Sequence, residues 1–231
     1  MQRTATSCLF VMLFLFGNAQ SFEVWNGVGL KYKVNKKIQL SGSYNMRFGD
    51  SQFQTLFPEF TAKYKITKWA HLSVDYRRVS KRELNGNYLG ANRMNLNVKL
   101  RKNTKRWAYN VRLRYQMSSA SGVNTNYESD FDEAFRIKPN IAYDIKKSIF
   151  TPFMAAELFY NPLTGVLGKR IDKMRYTLGT DLELDGPHSV GVFIRVDHRL
   201  YAVNPYKTIV GINYQLDLKS VLSNYSKKGE L

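Results

Sequence analysis

The chain of 231 residues is nearly without cysteine: Cys8 is the only one, and it lies in the N-terminal leader. Without that leader no thiol is left, which excludes disulfides, thiol catalysis and a cysteine-based metal site. Histidine is almost as scarce, with three residues, His71, His188 and His198. His188 and His198 are isolated, with no histidine or carboxylate neighbours at metal-ligand spacing, and no metal and no cofactor is expected. The six prolines are scattered, and no Ser- or Pro-rich linker or low-complexity tract divides the chain. Long apolar runs are also missing. The run from Cys8 to Phe16 is too short for a bilayer of about 30 Å, which takes about 20 helical residues. With Arg3 before it and Gly17, Asn18 and Ala19 after it, residues 1–19 read as a cleaved secretion signal.

Acidic residues are outnumbered, 18 against 35 Lys and Arg, for a formal charge of +17. Such a balance suggests nucleic acid, whose phosphates clustered Lys and Arg neutralise. Here the basic residues are dispersed over every segment, no basic helix or nucleic-acid motif is present, and the chain is exported. No nucleic-acid partner is therefore expected.

What the chain does have is alternation. In RWAYNVRLRYQM (106–117) Trp107, Tyr109, Val111, Leu113, Tyr115 and Met117 face one way, and Arg106, Asn110, Arg112, Arg114 and Gln116 the other. A period of two is the signature of an extended strand. The pattern recurs over 24–34, 38–48, 56–66, 72–79, 94–100, 135–145, 149–160, 176–184, 190–200 and 207–218. These segments approach the 9–11 residues that a tilted membrane-crossing strand needs. Short turns at 35–37, 67–69, 103–105, 146–147 and 185–188 alternate with longer polar stretches at 49–55, 80–92, 118–133 and 161–173, and a shorter one at 202–206. The expected fold is all-β: an antiparallel up-and-down transmembrane barrel of about 10–12 strands over residues 20–218, with a polar tail at 219–231. Eleven candidate strands is an odd count, whereas single-chain bacterial barrels have even numbers. Either 22–34 folds apart, inside the lumen, or a strand escapes the pattern.

The alternative to a membrane barrel is a soluble one of lipocalin type, with the apolar face inward. A lipocalin has eight strands. Its interior would here have to hold Tyr44, Phe48, Trp107, Tyr109 and Tyr115 together with the bulk of every other strand. Aromatics near segment ends, among them Tyr32, Tyr64, Tyr76, Tyr143, Tyr160, Tyr176 and Tyr214, match interfacial girdles instead. The apolar face is thus expected to meet lipid, and the polar face to line the lumen.

RLRYQ (112–116), RIKPNIAYDIKKSIFTPFMAAELFYN (136–161), MRYTLGTDLEL (174–184) and IVGINYQLDL (209–218) resemble a family of small bacterial outer-membrane β-barrels known only as a domain of unknown function. The likeness begins at FEVWNGVGLKYKV (22–34), and its most specific part is TPFMAAELFYN (151–161) followed by RYTLG. The resemblance implies a barrel in the outer membrane of a Gram-negative bacterium. It implies no activity.

With the apolar side outward, basic lumen positions include Arg93, Lys99, Arg101, Arg112, Arg114, Arg136, Lys138, Arg175 and Arg195, and acidic ones Glu59, Asp75, Glu157, Asp181, Glu183 and Asp197. Two readings follow: an ion-pair network that braces the wall, or a narrow pore whose positive excess favours small anionic solutes. Outer-membrane lipid is the expected partner, and the oligomeric state is not legible. Two other classes stay in view. His71 and Ser73 have the spacing of a His–Ser dyad in lipid-hydrolysing barrels, but Leu72, Val74 and Tyr76 take the lipid side of that strand, so no enzyme is expected. SSASGVNTNYESDFDE (118–133) would be the contact segment of an adhesin or scaffold, and reads by default as a solvated surface loop.

Overall fold

The computed structural model describes residues 21–49, 52–82, 86–121, 133–162 and 170–218, and all statements below concern these residues. The expected signal at 1–19, the expected tail at 219–231 and most of the 118–133 stretch lie outside them. Alternation does become strands: β1 Ser21–Lys33, β2 Ile38–Gly49, β3 Gln52–Lys65, β4 Ala70–Arg82, β5 Tyr88–Thr104, β6 Trp107–Ser121, β7 Glu133–Tyr143, β8 Phe150–Asn161, β9 Arg170–Glu183, β10 His188–Arg199 and β11 Tyr206–Asp217. Each pairs with the next in antiparallel fashion, and β1 pairs with β11 to close the barrel.

The closure resolves the odd count. β1 is a full member of the wall, not a lumen insert, and its ladder to β11 is parallel, from Ser21 opposite Lys207 to Lys31 opposite Asp217. In an up-and-down meander of eleven strands the first and last must run the same way. The two ends of the described chain therefore sit at opposite ends of the barrel.

One end carries the connections 34–37, 66–69, 105–106, 144–149 and 184–187, and is called here the turn end. Local chemistry makes these turns. The Asn35 side chain accepts bonds from the backbone N–H groups of Lys37 and Ile38, both at 2.8 Å, and Thr67 Oγ1 accepts from the Ala70 N–H at 3.0 Å. Lys105 and Lys147 take positive φ of 53° and 58°, as tight turns require. At the opposite, loop end, two expected loops prove to be mostly strand. β2 and β3 are separated only by 50–51, and β4 and β5 only by 83–87. Gln, Asn, Ser and Gly at 49–55 and 80–92 imitate a loop because strands facing a wet lumen carry the same residue types.

Two prolines fall where ladders are interrupted. The β7–β8 pairing skips from Ile137 to Asn140 around Pro139, and the β3–β4 pairing from Leu56 to Glu59 around Pro58.

The two faces are opposite in polarity to those of a soluble barrel. Phe60, Leu113 and Tyr176 stand 63%, 45% and 51% exposed on the outside, while Asn95, Gln116 and Glu157 are almost fully buried inside. Burying one large apolar side chain is favourable by about 1.5–3 kcal/mol, and this wall leaves dozens uncovered. Hydrocarbon is the solvent that matches such a surface, with the charged groups enclosed by a wall whose backbone groups are paired.

Candidate functional site

Parity along each strand decides what enters the lumen. On β4, β5 and β6 the inward series are Ser73, Asp75 and Arg77; Asn95, Asn97 and Lys99; and Arg112, Arg114 and Gln116. Registry then joins them into a network. Arg114 donates to Asp75 at 2.7 Å and to Asn97 at 2.5 Å, and Asn97 donates to Asp75 at 3.0 Å and to the Ser73 hydroxyl at 3.1 Å. Arg112 and Arg136 share one carboxylate oxygen of Glu157, at 2.5 and 2.9 Å, and Arg136 also reaches Gln116 at 3.0 Å. Arg175 forks onto Asp197 at 2.5 and 2.6 Å, with Lys173 3.7 Å away. Arg77 pairs with Glu59. These are cross-strand pairs removed from bulk water, where charge-assisted bonds are strongest and a lost partner is most costly.

The lumen also holds aromatics. Trp25, Phe57, Phe159 and Phe193 have the parity of Glu23, Glu59, Glu157 and Arg195 and point inward. Cations stack on them. Arg47 lies 3.9 Å from the Trp25 ring centre, with Arg195 at 5.0 Å and Arg175 at 5.2 Å. Arg136 and Lys173 lie 4.2 and 4.3 Å from Phe159, and Arg195 4.0 Å from Phe193. Room for Phe193 comes from glycines on both neighbouring strands. In register the row runs Trp25, Gly211, Phe193, Gly179, Phe153. A Cβ at Gly211 would overlap the Phe193 ring, and one at Gly179 would come within 2.7 Å of Phe153 and 2.9 Å of Phe193.

Between these layers lies a cavity of about 200 Å³. Arg47, Arg77, Arg93, Arg112, Arg114, Arg136, Lys138, Lys173, Arg175 and Arg195 line it, against the carboxylates Glu59 and Glu157. Adding Asp75 and Asp197, which pair with wall cations, still leaves the cations in excess. Guanidiniums 3.9, 5.0 and 5.2 Å from one ring centre are no more than about 10 Å apart, where like charges repel by roughly 1.7 kcal/mol at an effective dielectric of about 20. The cavity lining is electropositive.

The expected lumen residues divide into two groups. Arg93, Arg112, Arg114, Arg136, Lys138, Arg175, Arg195, Glu59 and Glu157 surround the cavity, with Asp75 and Asp197 bonded to its wall. Lys99, Arg101, Asp181 and Glu183 have the same parity but are exposed, at the turn-end mouth rather than in the cavity. Trp25, Phe57, Phe159 and Phe193 are absent from the expected lumen residues although their parity is readable, because only the charged residues of the polar face were followed into the lumen. His71 and Ser73 lie on the lumen face of β4, opposite Lys99 and Asn97, and the Ser73 hydroxyl accepts from Asn97. No group of three or more metal-ligating side chains is found among the described residues.

A model of the family described as "Protein of unknown function (DUF2490)" matches residues 22–202, most of the chain. The chain belongs to the DUF2490 family. A search of curated proteins finds no match for this DUF2490 member. Among solved structures, one from "Unveiling the Mechanism Behind the in-meso Crystallization of Membrane Proteins" is similar at TM-score 0.41 and 14% identity, covering 80% of this chain and 72% of the other. A second, "Bacterial polysaccharide outer membrane secretin", is similar at TM-score 0.40 and 11% identity, covering 72% and 70%.

Proposed function

We propose that this DUF2490 barrel resides in the bacterial outer membrane and forms a narrow passage for small anions. The observation that carries the reading is the cavity lining: ten basic groups against two carboxylates. A network that served only to brace the wall would be close to neutral, because each uncompensated buried charge is costly. An excess of one sign in a low-dielectric enclosure is instead how a passage concentrates counter-ions. The cross-strand pairs of Arg112, Arg114, Arg136 and Arg175 support a bracing role beside it, and the same residues serve both. No catalytic step is part of the proposal: His71 and Ser73 face the lumen near the turn end, away from lipid.

Reversal potential in planar bilayers under a KCl gradient tests it. The expected sign is anion-selective, and Lys138→Glu, which reverses one lining charge, should shift it toward cations. A wild type that conducts nothing, or that prefers cations, overturns the reading.

A further inference from the structure

Resting on that reading of the lumen, we propose that the cavity is a binding site for a small, multiply charged oxyanion of phosphate or phosphate-monoester type. Arg112 and Arg136 share the single carboxylate of Glu157, so that cluster keeps a positive charge. The Arg112 Nε is buried and has no hydrogen-bond partner, a donor waiting for an acceptor. Lys138, on the same strand face as Arg136, lines the cavity and makes no ion pair among the described residues. Arg195 likewise makes none; its Nε donates to Thr177 at 3.2 Å and its plane stacks on Phe193.

Stacked guanidiniums are held with their N–H edges fixed, the preorganised fork that suits tetrahedral oxyanions. Size agrees. A cavity of about 200 Å³ holds several waters, enough for one phosphate with a small substituent. Chloride brings one charge and no directed lone pairs. A phosphate dianion satisfies several donors at once.

Trp25 lines the cavity, whereas Trp69 and Trp107 stand on the exposed outer surface. In the folded barrel in detergent, with Trp69→Phe and Trp107→Phe, Trp25 fluorescence reports the site alone. Titration with sodium phosphate, against sodium chloride at matched ionic strength, should give a saturable change with phosphate only. Lys138→Gln with Arg195→Gln should weaken it at least tenfold, and Lys36→Gln on a turn tip should leave it unchanged. Calorimetry on the unaltered protein needs no variant and should find one phosphate per barrel. An equal response to chloride, a change that never saturates, or no heat above the chloride baseline overturns the site. The two proposals fail separately: an anion-selective channel that ignores phosphate removes the site and keeps the passage, and a barrel that binds phosphate without conducting does the reverse.

Discussion

Glu157→Gln isolates charge from shape in the lumen network. The carboxylate is 2% exposed and holds Arg136, 8% exposed, and Arg112, 25% exposed. The amide fills the same volume and still accepts hydrogen bonds, so what disappears is one negative charge between two cations. Stranding a buried partner costs about 3–5 kcal/mol. Arg112 is open enough to water to recover part of its share, and the retained acceptor recovers a little more. Most of the loss therefore falls on Arg136, and about 3 kcal/mol is expected. Arg112→Gln should cost much less, roughly 1 kcal/mol, because Arg136 keeps Glu157. Urea unfolding from lipid vesicles, followed by the heat-dependent gel shift of folded barrels, measures both. An E157Q protein within about 1 kcal/mol of wild type, or an Arg112→Gln protein that is the less stable of the two, would refute the claim that Glu157 neutralises a dry site.

Three further perturbations test the architecture. Leu113→Arg, on the lipid face, should cost about 2–4 kcal/mol near the bilayer midplane, whereas Asn110→Arg, one strand face away, should be far milder; equal losses in vesicle refolding would mean that the faces are reversed. Gly211→Ala should destabilise by about 1–3 kcal/mol by overpacking against Phe193, and Phe193→Ala in the same chain should relieve part of that, as a double-mutant cycle would show. With Cys8→Ser removing the native thiol, Val203→Cys and Lys36→Cys place single thiols at the loop end and the turn end; because outer-membrane barrels keep their short turns in the periplasm, an impermeant maleimide on intact cells should label only Val203→Cys, and labelling of both would contradict the proposed outer-membrane orientation.

The wall was legible in the sequence because period two is strict. A slip by one residue in RWAYNVRLRYQM would turn Trp107 and Leu113 into the lumen and Arg112 and Arg114 into lipid, so the faces were determined before any strand was paired. Closure was not legible. Whether β1 meets β11 in parallel or stands apart depends on the whole circuit, and no local residue type records it. The cavity was half legible. Its cations follow from parity, but Glu157 meets both Arg112 and Arg136 only through the β6–β7–β8 register, which alternation leaves open. Phe57, Phe159, Phe193 and Trp25 were hidden for a different reason: an aromatic on the polar parity breaks the pattern by which the faces are told apart.

Those aromatics answer a packing problem that a barrel of this size sets. Eight strands leave a lumen that ordinary side chains fill, and eleven leave a wider one. Leucine and isoleucine on both parities would fill it, but every strand would then be apolar throughout, with no face to orient it and a risk of pairing wrongly during export. Long polar side chains avoid that, and arginine is the longest that stacks as well as pairs. Its charge has to be met inside the wall. Carboxylates meet part of it, and the rings under Arg47, Arg136, Lys173 and Arg195 meet more, at about 0.5–2 kcal/mol for each desolvated contact. A ring, unlike a carboxylate, stabilises a cation without cancelling its field. Filling the lumen with arginine on aromatics therefore narrows the barrel sterically while keeping it electropositive, and Phe193→Leu, which preserves an apolar contact but removes the ring, should lower stability with the sign of ion selectivity unchanged.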